Sequence, residues 1–406
     1  MKGINNSRCV RFEHRGFALV VTIVLLGLIT LVLLGLASIG RVEIQSQING
    51  AEARQARTNA EFALNLAIGQ LQRYAARDDV LTVRADHLGS SVANHNWTAV
   101  LSKLSADPLV WLVNGPESGT ARSPLNVASA PTGRSGPTVQ LLSRALTASE
   151  KVTLEKSDIK NYVPALGDVA VVGRYAYWAA DESQKVSLGV RADLPAPAGL
   201  IKYPAPDLNW VFPGFDLNST SGERSRLIVT DQALLISGIG ATKLTSMWPQ
   251  VTANSRIGVS SSGDVVGAFN VNSPFDIVWE AVLAAVDPVP DILAVIAAIK
   301  TTIRPFLDLK DFETKLGLKL GAGGADEAKR IRTALGPILT VRGETYYIRA
   351  YGETINPLVK SPDSDSDSDY VKATAICEAM VQLTVQPSGA SVFNIVYFRW
   401  LNLDAI

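Results

Sequence analysis

The sequence predicts an α+β protein. It is built on one long N-terminal helix, with a transmembrane half and an amphipathic half, and a large head that contains an inserted helical cluster and a C-terminal antiparallel sheet. Three observations predict this. Residues 17–40 (FALVVTIVLLGLITLVLLGLASIG) are apolar and uncharged. Residues 41–77 carry an alanine-rich stripe at helical spacing. The last stretch of chain, from 339 onward, alternates β-branched and aromatic residues in strand-length runs.

As a helix, residues 17–40 would span about 36 Å, enough for a bilayer core of about 30 Å. Lys2, Arg8, Arg11 and Arg15 precede them, opposed by Glu13. Positive flanks stay in the cytoplasm, so a single-pass topology with the N-terminus cytoplasmic and the rest periplasmic or extracellular is expected. Three kinds of segment share these features: a cleaved secretory signal, a plain signal anchor, and a type IV pilin-like signal. The first has a shorter apolar core and a small-residue cleavage site such as Ala37-Ser38. The junction Arg15-Gly16-Phe17 resembles the third, with a short basic leader ending in Gly before an apolar helix that opens with Phe. That resemblance implies cleavage by a prepilin peptidase between Gly16 and Phe17, and methylation of the new N-terminus. Pilins mostly carry Glu at the fifth mature position, whereas this sequence has Val21. In that respect it resembles the minor K-type pseudopilins of type II secretion, which sit at a filament tip.

Beyond the apolar run, Ala53, Ala56, Ala60, Ala63, Ala67, Leu71 and Tyr74 recur every three or four residues and mark one face of an amphipathic helix. Asn49-Gly50 is a point where the helix is expected to bend. Together the two segments predict a helix of about 60 residues, roughly 90 Å long.

The head follows. Residues 115–137 are rich in Gly, Pro and Ser and predict a surface loop. Residues 169–190 predict two strands around a turn at Asp181-Glu182-Ser183, and the Pro-rich stretch 194–206 breaks the chain again. Phe269 and Val271 predict a short strand, Ser273 a helix cap and Pro274 a first helical position. Phe275, Val278, Trp279 and Val282 form the apolar face of that helix. Further helices are expected at 290–300, 308–316 and 325–335. Residues 339–351, 370–385 and 391–401 predict the antiparallel meander. In its second strand Ala373, Ala375, Cys377, Ala379, Val381 and Leu383 share a face, which makes Cys377 a small core residue. The division is a leader 1–16, the helix 17–77, a mixed head with loops 78–266, the helical cluster 267–336 and the β meander 337–406.

The composition suits a folded protein: 47% of residues are hydrophobic and 19% charged. Lys plus Arg equals Asp plus Glu at 38 each, so nothing in the charge points to nucleic acid. With Cys9 before the apolar run and Cys377 near the other end, an intrachain disulfide is not expected. No catalytic constellation is evident. His14, His87 and His95 lack the companions a metal site needs. Gly238-Ile239-Gly240 lacks the third glycine of a dinucleotide loop, and residues 258–263 read as a turn rather than a nucleophile elbow. The alternating run Asp363, Asp365, Asp367, Asp369 could gather oxygen ligands for Ca²⁺. It has neither the Gly nor the distal Glu of an EF-hand loop, and reads first as a solvated hairpin tip.

Longer stretches resemble known families. Tyr177 to Val186 (YWAADESQKV) and Phe269 to Ser273 (FNVNS) resemble the strand turn and the strand–helix junction of K-type pseudopilins. Arg349 to Glu353, Ala375 to Ala379 and Phe398 to Asn402 are similar to the pilin-like proteins called Verru_Chthon cassette protein A. The resemblance implies a non-enzymatic minor pilin or pseudopilin that caps or initiates a type IV pilus or type II secretion-like filament at the inner membrane. No cofactor is expected. The partners it implies are other pilin-like subunits, met through the N-terminal helix, where Gly27, Gly35, Ala37 and Gly40 would permit close approach. Two other functions fit the same anchor. One is an extracytoplasmic enzyme or binding protein. The other is an adhesin using Tyr175, Trp178, Trp210 and Trp248, although core packing is the ordinary role of each.

Overall fold

The structure is a computed structural model. It describes residues 15–87, 94–104, 108–114, 138–142, 151–189, 206–213, 227, 229–236, 239–253, 269–302, 305–336, 338–359, 369–386 and 389–402. The chain divides into two compact units, Met1–Arg54 and Gln55–Ile406.

Within the first unit the described residues are all helical and belong to α1, Arg15–Gln70. Every residue from Leu19 to Ile39 is exposed, including Leu26 at 67% and Leu34 at 73%. The Thr22 and Thr30 hydroxyls donate to the carbonyls of Leu19 and Gly27, both at 2.8 Å, so neither presents an unsatisfied donor to an apolar surrounding. Asn49 and Gly50 do not interrupt the helix: the Gln45 side chain donates to Asn49 Oδ1 at 3.0 Å across one turn, and the α-helix runs on through both.

In the second unit, α1 closes with a π-helical turn at Leu71–Ala75. The strands β1 (Val80–Arg84), β2 (Thr98–Ser102) and β3 (Pro108–Trp111) form an antiparallel sheet. There follow β4 (Thr138–Leu142), β5 (Val152–Glu155), β6 (Ser157–Val163), β7 (Asp168–Asp181) and the short β8 (Val186–Ser187). Next come helix α2 (Ala241–Met247), β9 (Val251–Thr252) and β10 (Phe269–Asn270). The helical cluster is α3 (Asp276–Leu283), α4 (Ile292–Thr301), α5 (Leu309–Leu320) and α6 (Gly324–Leu335). The chain then runs through β11 (Leu339–Thr340), β12 (Thr345–Ile355), β13 (Val371–Val385) and β14 (Ser391–Leu401).

The main sheet is five-stranded and antiparallel, in the order β14-β13-β12-β7-β6. Alternation sends one face of it to each of two cores. Tyr177, Ala179, Tyr346, Ile348, Ala350, Cys377, Ala379 and Val381 meet α1. Trp178, Ala180, Tyr347, Tyr351 and Ile376 face the larger core that contains the helical cluster.

The two strands expected around a turn at Asp181-Glu182-Ser183 are present: β7 ends at Asp181, a short 3₁₀ turn spans Glu182–Gln184, and β8 follows, pairing in parallel with β9, Val186 opposite Val251. One sequence expectation changes here. Ser273 does not cap α3. Phe275 holds the cap position, and the Ser273 hydroxyl instead donates to the Gln184 carbonyl at 2.6 Å, because the junction is spent on holding that turn. Within the cluster, α4 and α5 are capped by Asp291 and Asp308, whose carboxylates accept from Ala294 N and Asp311 N. Helices α5 and α6 touch through Gly317 and Gly324: a Cβ on Gly324 would lie 2.5 Å from the Gly317 carbonyl oxygen.

The tightest contact in the second unit is between α1 and the main sheet. A Cβ on Gly352 of β12 would lie 2.2 Å from Ala60 N and 2.4 Å from Ala56 O. One on Gly173 of β7 would lie 2.4 Å from Asn59 Nδ2. Asn59 Nδ2 donates to the Glu353 carbonyl at 2.8 Å. At the other end of the packed stretch, the Gln72 side chain donates to Ser391 O at 2.7 Å and accepts from Phe393 N at 3.0 Å, in place of a neighbouring strand. Replacing Gly352 with Ala forces backbone from backbone. It is expected to destabilise the second unit by roughly 3 kcal/mol, measured by chemical denaturation of the full chain in detergent.

Candidate functional site

Two arrangements qualify as functional candidates: the surface of α1 and a buried polar junction in the head. Side chains of α1 follow one periodicity but meet two environments. Ala56, Ala60, Ala63, Ala67 and Leu71 are buried against the sheet, with Tyr74 half-buried. Ala53, the first residue of the predicted stripe, is exposed. In the apolar part, the Cβ positions of Gly27, Gly35 and Gly40 meet open space.

The polar junction is built from stretches that are far apart in sequence. Asp181 ends β7 and is 4% exposed. Its Oδ1 accepts from Ser183 N (2.8 Å) and Ser183 Oγ (2.6 Å). Its Oδ2 accepts from Thr82 Oγ1 (2.6 Å) and Asn270 Nδ2 (3.1 Å). Thr82 Oγ1 in turn accepts from Gly343 N at 2.8 Å, and Asn270 Nδ2 also donates to the Thr82 carbonyl at 3.0 Å. Gly343 has to be glycine, since a Cβ there would fall 2.4 Å from Asp181 Oδ1. Asn272 continues the lock by donating to Phe306 O at 3.0 Å and accepting from Phe306 N at 2.7 Å. The turn at 181–185 and the junction at 269–273, read separately in the sequence, therefore form one hydrogen-bonded unit. Burial holds the Asp181 carboxyl above its ordinary range, against the pull of hydrogen bonds from Ser183, Thr82 and Asn270.

Two further buried clusters brace the main sheet. Glu353, fully buried, pairs with Lys156 Nζ at 2.7 Å and Arg174 Nη1 at 3.4 Å and accepts from Tyr351 OH. Glu378 is shared by Arg349 at 3.5 Å, Arg399 and the Tyr347 hydroxyl. Arg349 also donates to Leu141 O at 2.7 Å, and Arg399 pairs with Asp231 at 2.8 Å. Burial raises Tyr347 well above the usual phenol range, so it stays a neutral donor. In each cluster every charge has a partner, and the groups cross-link strands.

Gly16 and Phe17 lie in the first turns of α1, where the backbone alone is described. Asp363, Asp365 and Asp367 lie outside the described residues. Asp369 sits in the turn before β13, exposed, 3.6 Å from Lys372. No group of three or more His, Cys, Asp or Glu able to hold a metal occurs among the described residues. The loop 115–137, Gly238 and residues 258–263 also lie outside the described residues. Cys377 is buried, and burial pushes its thiol up to about 12. Trp178 and Trp248 are core residues, the former donating to Asn96 O at 2.8 Å, while Trp210 is 40% exposed. Sequence reasoning missed Gly173, Gly352, Gly343, Asn59 and Thr82. The glycines 173 and 352 had a signal, since Gly inside a strand pattern marks a close approach.

No family model and no curated protein matches the chain. Among solved structures it is similar to a crystal structure of the GspK–GspI–GspJ complex from the enterotoxigenic Escherichia coli type 2 secretion system. The likeness has 10% sequence identity and a TM-score of 0.43, and covers 89% of this chain and 99% of that one.

The raised pKa of Asp181 gives the junction a defined pH response. The folded state holds this proton more tightly than the unfolded state. Asp181's contribution to stability is therefore full below its ordinary value of 3.8 and falls as pH rises toward its folded value. Stability of the wild type relative to Asp181→Asn is expected to decline above pH 3.8 by up to about 1.4 kcal/mol per pH unit, and to be flat below it, by denaturant titration across pH.

Proposed function

We propose that this chain is a non-enzymatic, pilin-like subunit. Residues 17–40 anchor it in the inner membrane with the head outside the cytoplasm, and α1 carries it into a filament of the type IV pilus or type II secretion kind. The observation that carries this reading is the split character of α1. Residues 19–39 are apolar and exposed throughout, while residues 56–75 bury a small-residue face on an antiparallel sheet. The first half matches a lipid bilayer or the apolar flanks of other helices, and the open surfaces at Gly27, Gly35 and Gly40 allow such helices to approach closely. The buried charges at Glu353 and Glu378 are engaged in holding strands together, which agrees with a structural role.

On this reading a prepilin peptidase removes residues 1–16 and Phe17 becomes the methylated N-terminus. Val21, where most pilins have Glu, suits a subunit at the filament tip, since a charge inside the bilayer is costly unless a neighbour pairs with it. The decisive measurement is mass spectrometry of the mature N-terminus in cells with and without prepilin peptidase. A start at Phe17 that depends on the peptidase is expected. A start at Met1 or after Ala37 would refute the pilin class and leave a plain anchor or a cleaved signal.

On the same reading the run Asp363 to Asp369 takes no Ca²⁺. Adding millimolar Ca²⁺ to the chelator-treated protein is expected to leave Tm unchanged, and a rise that is lost in Asp365→Asn/Asp367→Asn would show a site.

A further inference from the structure

We propose that the second face of the β8–β9 ribbon holds a short row of bound water molecules, beginning at the small cavity beside Gln184. Val186 and Leu188 on one strand and Val251 and Ala253 on the other belong to the large apolar core. Alternation then puts Ser187, Gln250 and Thr252 together on the opposite face, with Ser187 and Thr252 in register. That face is also shielded from solvent: Ser187 is 4% and Thr252 0% exposed. Ser187 Oγ, Thr252 Oγ1 and Gln250 Oε1 nevertheless meet no hydrogen-bond partner among the described residues.

The same deficit continues next door. Lys185 is extended and lies two residues before Ser187, so its side chain leaves on the same face. It lines a cavity with Gln184, Asn96, Thr98, Asp181 and Trp248, with room for about one water. Gln184 is 1% exposed, and its Oε1 too lacks a partner among the described residues. Three unpartnered buried oxygens thus share one face at the ribbon, and a fourth belongs to the neighbouring Gln184, which lines the cavity.

Their chemistry selects the ligand. The two amide oxygens only accept, and the two hydroxyls can donate or accept, so a molecule that bridges them has to donate at more than one point. Water does this. A divalent cation would want carboxylates. The nearby Glu182 carboxylate is already engaged by Lys185 Nζ at 2.6 Å, and Asp181 by its own donors.

The test compares Thr252→Val with Thr252→Ser in the full chain in detergent. Val keeps the shape and loses the hydroxyl; Ser keeps the hydroxyl and loses a methyl. Bound water predicts that Thr252→Val lowers Tm more than Thr252→Ser does. A dry face predicts the reverse order, with Thr252→Val at or above the wild-type Tm, and that result would overturn the proposal. If Thr252→Val does not fold, a high-resolution crystal structure of the wild type decides. Ordered density within hydrogen-bond distance of Thr252 Oγ1 and Gln250 Oε1 supports the row, and a clean map there removes it.

Discussion

The head depends on how closely α1 approaches its sheet. Backbone meets backbone at Ala56–Ala60 and Gly352, and a single Cβ would not fit between them. This explains why the helix stripe is made of alanine rather than leucine. Along the sheet face below it, Ala350, Gly352, Ala375, Cys377 and Ala379 are equally small. Larger groups, Leu71, Tyr346 and Phe393, enter at the opposite end of the packed stretch. Apolar area contributes in proportion to what is buried, so such a narrow face has to gain from fit as well. Asn59 supplies one directional bond at the close end and Gln72 two at the far end.

The polar junction around Asp181 solves a different problem. The three-stranded sheet, the turn after β7, the start of the helical cluster and the approach to β12 all converge there, and an apolar contact would hold them without fixing their register. A carboxylate accepting from Thr82, Ser183 and Asn270 fixes all of them at once. The donors are neutral, so burial is not offset by a counter-charge, and the carboxyl titrates high as a result. The clusters at Glu353 and Glu378 take the other course and match charge with charge. Buried polar groups of both kinds are weak evidence for stability and better evidence for a specified geometry.

Much of this was legible in the sequence because it is periodic. The alanine stripe, the three long C-terminal strands and the placement of Cys377 follow from repeats of 3.6 or 2 residues, and the apolar run from its length and lack of charge. What periodicity could not give were the decisions made by distant partners. Ser273 looks like a helix cap in its own neighbourhood, and becomes a tie to Gln184 only because the chain brings the 181–185 turn beside it. The stretch 181–187 reads as a turn and the start of a strand, but its parallel partner β9 lies far along the chain. Asn49-Gly50 carries a propensity for bending worth about 1 kcal/mol, too little to break a helix that continues on both sides.

The division of α1 is the strongest constraint on function. An isolated helix gains little from propensity alone, and in proteins most helical stability comes from packing an apolar face. Residues 56–71 have such a face and a sheet to receive it. Residues 19–39 are apolar on every side and exposed throughout, which is the pattern of a helix whose environment is lipid or other helices. The two threonine hydroxyls of the run are turned back onto the backbone, and the run carries no charge. Within the second unit, the packed half is fixed to the main sheet by the close approach at Gly352 and the hydrogen bond from Asn59.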